Sequence, residues 1–318
     1  MPTAGRHVLL VSHPTRRDAQ EIAAAVATRL LSSDIGVIAP RADLAGTPLA
    51  DVPGIRPVDE TRPDLEPELV CVLGGDGTIL RGAEISRGSD APLLGVNLGH
   101  VGFLAEAERE DIDATVEHIC ARDYTVEERM TLDVRARQDG REVFSSWALN
   151  EATVEKAARE RMLELTVEID GRPLSTWGCD GIVMATPTGS TAYAFSAGGP
   201  VVWPDVESML LVPISAHALF NRPVVVGPHS HLAVQLLPHS EAEAVLWCDG
   251  RRAVTLPPGS QVEVDRSAHP VRLARLSTAV FTDRLVRKFD LPVHGWRGSA
   301  RRARGDAGPL GGPAGADA

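Results

Sequence analysis

The chain has 318 residues, 43% of them hydrophobic, and a formal net charge of −11 at pH 7. That length gives about two domains with substantial cores. The acidic balance excludes broad electrostatic attraction to nucleic acid or anionic lipid, so an anionic ligand has to be gripped locally by backbone amides and a few arginines. No long apolar span exists, and His7-Val8-Leu9-Leu10-Val11 is too short for a signal-peptide core, which predicts a cytoplasmic protein. The cysteines Cys71, Cys120, Cys179 and Cys248 are scattered without a Cys-x-x-Cys pair and read as reduced, buried thiols. Lys156 and Lys288 are the only lysines and neither follows a glycine loop, so Gly-x-x-x-x-Gly-Lys is excluded. The Gly-x-Gly-x-x-Gly fingerprint fails at Leu80, and no His-Glu-x-x-His occurs.

Val8 to Val11 predicts a buried strand, and Ile22, Val26 and Leu30 recur at a helical spacing within 16–31. From Ala39 to Glu68 the chain is rich in Pro, Asp and Gly, which predicts a mobile excursion or a disordered insert. The apolar run Leu69 to Leu73 then enters Gly74-Gly75-Asp76-Gly77-Thr78 and a helical stretch, 79–84. Strand, glycine turn and helix start leave free N–H groups at the positive end of a helix dipole, where phosphate binds. A carboxylate among phosphates is repelled unless it holds a metal ion or accepts a proton from an attacking hydroxyl, so Asp76 points to phosphoryl transfer. A tight left-handed turn with Asp as helix cap accounts for the same residues. A second strand, Pro92 to Val96, exits through Asn97-Leu98-Gly99-His100-Val101-Gly102-Phe103-Leu104, and two such exits in succession form either the sides of one crevice or a pair of strained loops. Residues 111–120 predict a short closing helix.

Near Tyr124 the period changes to alternation, with strand-like runs at 132–136, 142–154, 163–169, 232–236 and 245–247 and turns at Asp139-Gly140, Asp170-Gly171 and Asp249-Gly250. This half predicts a packed pair of antiparallel sheets, a two-sheet sandwich-like all-β domain, after an α/β Rossmann-like one. The expected boundaries are 1–124 and 125–277, with a helix near 278–290 returning to the first domain and a disordered tail over 298–318. Asn150-Glu151 ends an apolar run and either faces water or serves a site. The stretch from Cys179-Asp180-Gly181 through Thr186-Pro187-Thr188-Gly189-Ser190-Thr191-Ala192-Tyr193 joins a turn, a buried strand and a hydroxyl-rich loop that can hydrogen-bond a nucleotide, with Tyr193 offering a stacking face. A helix cap with a proline start accounts for it equally in kind.

Together, Gly74-Gly75-Asp76-Gly77-Thr78, Asn97-Leu98-Gly99-x-x-Gly102-Phe103-Leu104, Asn150-Glu151, Asp180-Gly181, the run Thr186 to Tyr193 and Ser196-Ala197-Gly198-Gly199-Pro200 resemble the NAD kinase family, in family order from about residue 5 to 290. The glycine cradle is shared with phosphofructokinase-like and diacylglycerol-type lipid kinases, whereas the threonine and glycine run is specific. The resemblance implies phosphorylation of the adenosine ribose 2′-hydroxyl of NAD to give NADP, with ATP, or alternatively polyphosphate, as donor and Mg²⁺ accompanying ATP. It implies Asp76 as proton acceptor within Gly74, Gly75, Gly77 and Thr78, and Arg81 near the ligand. Asn150, Glu151, Asp180, Thr191, Ala192, Tyr193, Ala194, Phe195 and Ser196 would hold the dinucleotide, and Arg161 would add a basic contact. Ala194 and Phe195 differ from the family's commoner residues, and Gly178 stands where many members carry a basic or bulky side chain. His217 reads as a packing histidine. A dimer or tetramer is implied as well. A lipid kinase and a non-catalytic NAD(H)-binding regulator are the other classes that fit the cradle and the loop respectively.

Overall fold

The computed structural model describes residues 5–59, 66–99, 102–240, 242–276 and 281–293. The first domain is a sheet whose parallel strands are β1 (His7–Ser12), β2 (Gly36–Pro40), β3 (Arg56–Val58), β4 (Leu69–Leu73) and β5 (Leu93–Asn97), in the order β3-β2-β1-β4-β5. The helices are α1 (Arg17–Ser32), α2 (Arg41–Leu44), α3 (Asp76–Ile85) and α4 (Ile112–Ala121). β4 and β5 are buried at every residue because both faces of the sheet are covered. Val8 and Leu10 pack with Val26 and Leu30 of α1 and Ile119 of α4, whereas Leu9, Val11 and Val72 pack with Ile79 and Ala83 of α3. A short β6 (Ala107–Glu108) adds to β5.

The described part of the stretch 39–68, expected as a mobile or disordered insert, is built into and against this sheet instead. β2 runs to Pro40, α2 follows, and β3 is the edge strand. An edge strand tolerates Pro57, whose missing N–H need not enter a ladder, which is why proline content misled the reading. Residues 60–65 lie outside the described residues.

β7 (Thr125–Arg129) starts the second half of the chain, followed by β8 (Leu132–Gln138), β9 (Arg141–Ala148), β10 (Glu151–Lys156), β11 (Leu163–Ile169), β12 (Arg172–Cys179), β13 (Gly181–Ala185), a four-residue helix α5 (Tyr193–Ser196), β14 (Met209–Ile214) and β15 (Val224–Val226). β16 (Leu232–Leu236), β17 (Ala244–Cys248), β18 (Arg252–Leu256), β19 (Gln261–Arg266), β20 (Val271–Arg275) and α6 (Phe281–Phe289) complete it. Two antiparallel sheets, ordered β15-β14-β13-β10-β17-β18 and β12-β11-β16-β19-β8-β9, enclose a core of Leu132, Val134, Leu165, Val167, Trp177 and Leu246. The three Asp-Gly turns close β8–β9, β11–β12 and β17–β18 with positive φ at both residues of each; the first two are two-residue hairpins, whose hand requires this, and the third is a three-residue loop that includes Arg251. All four cysteines are free; Cys71, Cys179 and Cys248 are buried, which pushes their thiols up to about 12, 12 and 11, and Cys120 is half-buried.

Two boundaries differ from the sequence reading. β7 and β20 pair with each other and extend the first sheet past β5, so residues 125–129 and 271–275 lie in that sheet. The change of period near Tyr124 marks the change from parallel to antiparallel pairing. The run 142–154 is also not one strand, since β9 and β10 lie in different sheets and the chain crosses between them at Leu149 and Asn150. α6 returns to the first domain: Arg284 and Arg275 both donate to Glu106, whose side chain is almost wholly buried. The tail from Gly298 lies outside the described residues. Glu106→Ala would leave two buried guanidinium groups without their shared partner, and should destabilise the fold by about 3–5 kcal/mol in denaturant titrations.

Candidate functional site

β4 ends at the glycine cradle, and Gly75 caps α3 with Asp76 as its first residue. Gly74, Gly75 and Gly77 all have negative φ, so the left-handed-turn reading does not hold. What the missing side chains provide is space, since a Cβ on Gly75 or Gly77 would meet nothing within 4 Å. The half-buried Asp76 accepts the Phe103 N–H at Oδ2 and the Leu104 N–H at Oδ1, each at 3.2 Å. A side chain on Gly102 would collide with that carboxylate. The second glycine-rich exit therefore meets the first directly at Asp76; His100 and Val101 lie outside the described residues.

Arg81 is a buried residue, neither solvated nor on the cradle surface. Its guanidinium donates to Asp43 Oδ1 (2.5 Å) and to the Ser12 carbonyl (3.1 Å), which ties α3 to β1 and α2. Asp43 also accepts the Ser12 N–H at 2.8 Å. Nothing in the sequence marked Asp43, because it falls in the stretch set aside as an insert.

Asn150 and Glu151 are buried at the crossing from β9 to β10, so the water-facing reading fails. At the crossing the backbone has no ladder partner, and Asp249 replaces it by accepting the N–H groups of Leu149 (2.9 Å), Asn150 (2.8 Å) and Glu151 (3.3 Å). The sequence showed Asp249 only as half of a turn. The threonine and glycine loop locks onto the same crossing: Thr186 N–H donates to the Asn150 carbonyl at 2.9 Å, its hydroxyl donates to the Leu149 carbonyl at 2.5 Å, and Gly189 N–H donates to that hydroxyl at 3.1 Å. Any Cβ on Gly189 would collide with the Asn150 carbonyl.

From there a 3₁₀ turn over Thr188–Thr191 leads into α5. Thr191 and Ala192 are half-buried, whereas Tyr193, Phe195 and Ser196 are exposed. Ala194 is fully buried against Val183, Ala185, Leu210 and Val212, so its side chain packs rather than lines the cleft. The Tyr193 hydroxyl lies 3.4 Å from Glu155, and Lys156 pairs with Asp180 at 2.5 Å. Arg161 is exposed in the turn between β10 and β11 and is not brought into this group. A Cβ at Gly178 would lie 2.7 Å from the Met162 methyl. His217 N–H donates to the Gly178 carbonyl at 2.8 Å.

Burial, and then the charge of Asp249, pushes the Glu151 carboxyl up to about 8. Its Oε2 is buried without a hydrogen-bond partner. At neutral pH Glu151 is therefore largely protonated and has a proton to donate.

The two halves of the site are fastened together. Leu149 is buried in one cluster with Ile79 and Ala83 of α3 and with Leu104. Glu84 of α3 accepts from Arg251 at 2.7 Å, and the guanidinium groups of Arg87 and Arg252 lie 4.1 and 4.6 Å from the Trp147 ring centre. On the other side the Phe103 ring reaches Phe289 at 5.8 Å, and Phe289 reaches Phe195 at 4.6 Å.

Family models match both halves: the ATP-NAD kinase N-terminal domain over residues 8–124 and the ATP-NAD kinase C-terminal domain over residues 149–276. The chain belongs to the NAD kinase family. It is 58% identical to an NAD kinase of Leifsonia xyli over 93% of this chain and 98% of that one, and 59% identical to NAD kinase 2 of Streptomyces coelicolor over 92% and 97%. Its fold is shared with yeast NADH kinase, solved with NADH, at a TM-score of 0.82 and 23% identity over 92% of this chain and 90% of that one. The chain is a kinase that phosphorylates NAD to NADP, and the lipid-kinase and non-catalytic readings give way to this.

Two outcomes follow from the geometry. Gly189→Ala should destabilise the protein by about 1–3 kcal/mol, because the Asn150 carbonyl has to move, and weaken NAD binding in calorimetry. For Glu151, the unfolded chain releases its proton near 4.5 and the folded chain near 8, so the stability it contributes is full below about pH 4.5 and lost as pH rises towards 8. Glu151→Gln should flatten that decline, read as melting temperature against pH for the two proteins.

Proposed function

We propose that Asp76 accepts the proton of the adenosine ribose 2′-hydroxyl of NAD while the terminal phosphate of ATP lies against the amides of Gly74 to Thr78. The observation that carries this reading is the Asp76 carboxylate, held at both oxygens by peptide N–H groups at 3.2 Å beside two glycines with open space over them. Each carboxylate oxygen keeps a free lone pair for the hydroxyl. A ribose hydroxyl is a weak nucleophile, and a loose phosphoryl-transfer transition state gains most from alignment, which an immobilised carboxylate supplies. The cradle amides face the phosphate charge at the start of α3. Mg²⁺ would enter with ATP as part of the substrate and offset part of the phosphate charge.

Asn150, Glu151, Asp180 and the run Thr191 to Ser196 take the dinucleotide. The protonated Glu151 carboxyl donates a hydrogen bond to it, and the exposed Tyr193 ring stacks on a base. Polyphosphate serves as donor to the extent that the cradle reads phosphate alone. The enzyme works in the cytoplasm as a homo-oligomer. Among the described residues no helix is long and apolar enough to cross a membrane. Exposed Leu219, Phe220 and, on the edge strand β15, Val225 form an apolar surface suited to a second copy.

Asp76→Asn should lower turnover by roughly 10²-fold or more with NAD affinity kept. NADP formation from NAD with ATP or polyphosphate, beside calorimetric NAD binding, checks it. Normal turnover in this variant would remove Asp76 from the role, and a parallel loss of affinity would make it a binding residue.

A further inference from the structure

α6 reaches the loop that holds Asp76 by a side chain the reaction itself does not call for. The Arg284 guanidinium donates to the carbonyls of Phe103 (3.1 Å) and Ala105 (2.9 Å) and to Glu106 Oε2 (2.5 Å). Phe103 and Leu104 are the residues whose N–H groups donate to the two oxygens of Asp76. Phe103 thus gives its N–H to Asp76 and its carbonyl to Arg284. Behind the loop lies a cavity of about 630 Å³, lined by Gly102, Ala105 and Glu106 on one side and by Asp283, Arg284 and Arg287 on the other. Beside that cavity the Arg284 guanidinium is a polar tie between α6 and the loop, next to the ring contacts of Phe103. The Phe103 ring also lies 5.9 Å from Phe281 and 5.8 Å from Phe289, and Phe289 continues to Phe195.

We infer that Arg284 is a positioning residue for phosphoryl transfer: its three hydrogen bonds to residues 103–106 fix the two amides that aim the Asp76 carboxylate at the ribose hydroxyl. Through Phe289 and Phe195 the same helix sets that aim relative to the segment that takes the dinucleotide. The inference rests on Asp76 as the proton acceptor. The planar guanidinium makes three bonds in a fixed geometry that a single ammonium cannot reproduce. The loop moves when the tie is cut, and a misplacement of about 1 Å in a reacting group is enough to cost roughly 10²-fold in rate.

The test is a cycle of Arg284→Ala, Asp76→Asn and the double variant in the full chain, with NADP formation and the KM for NAD measured for each. Arg284→Ala should lower kcat roughly 10- to 100-fold with KM for NAD changed by no more than about 3-fold, and Arg284→Lys should recover part of the loss. On the Asp76→Asn background the same substitution should cost no more than about 2-fold, since there is no carboxylate left to aim. A role confined to stability would lower both backgrounds by the same factor. Wild-type kcat in Arg284→Ala, or its full factor repeated on Asp76→Asn, overturns the inference. Glu106 keeps Arg275 when Arg284 is removed; should Arg284→Ala still fail to fold, Arg284→Lys and Phe289→Leu run through the same cycle give the same two readouts. If Asp76→Asn itself keeps turnover, the assignment of Asp76 fails; if it loses turnover and Arg284→Ala does not, only the role of Arg284 fails.

Discussion

Peptide N–H groups buried outside a ladder need an acceptor, and this chain meets that demand with carboxylates at each place where it turns between layers. Asp249 accepts the three amides at the crossing from β9 to β10, Asp43 the Ser12 amide at the exit of β1, Glu106 the Leu276 amide after β20, and Asp76 the two amides after β5. An unpaired amide in such a place costs about 1–3 kcal/mol, so each carboxylate is as much a part of the fold as a core leucine. The carboxylate proposed as proton acceptor is drawn from this set. The hydrogen bonds that immobilise Asp76 are those that complete the backbone of the loop facing it.

Neighbouring carboxyl groups acquire different properties from their surroundings. Asp249 receives backbone amides and the Arg252 guanidinium, which favour its charge and oppose the upward push of burial. Glu151, beside it, has burial and the charge of Asp249 against it and only the Tyr193 amide in favour. The Glu151 carboxyl is pushed up to about 8, and burial raises Asp249 as well. Asp249 holds the crossing through its three amides, and the Glu151 Oε2 beside it is buried without a hydrogen-bond partner among the described residues.

The elements with strong local signals were legible from the sequence: β1, α1, β4, the three Asp-Gly hairpins, and the glycine cradle with Asp76. What the sequence hid depended on distant partners. Pro57 looked like a loop residue because nothing local says that its strand is an edge. Residues 142–154 looked like one strand because the break is set by Asp249, about a hundred positions away. The resemblance put Arg81 near the ligand, yet its partner Asp43 sits in a segment with no helical or strand periodicity. Asp249 and Arg284 had no signal at all, since a carboxylate in a turn and an arginine on a terminal helix are ordinary until the fold shows what they face.

The alignment of the two halves is itself built from backbone. β7 continues into β8 and β19 into β20, and these two strands stay paired as a ribbon that leaves the second domain and enters the first sheet. At the crossing Ser267 N–H donates to the Thr131 carbonyl at 2.8 Å and the Thr131 hydroxyl to the His269 carbonyl at 2.6 Å. Arg87, two residues beyond α3, donates to the same His269 carbonyl at 2.7 Å while its guanidinium covers Trp147. A hinge at this edge would have to break these bonds together, so the helix that carries Asp76 and the sheet that carries Glu151 keep their separation before any ligand arrives. Phosphoryl transfer limited by alignment gains from that, because less of the ordering falls to substrate binding. The adjustable parts are then the exposed side chains of α5 and the loop under α6, where the contacts are rings and a single guanidinium instead of a ladder.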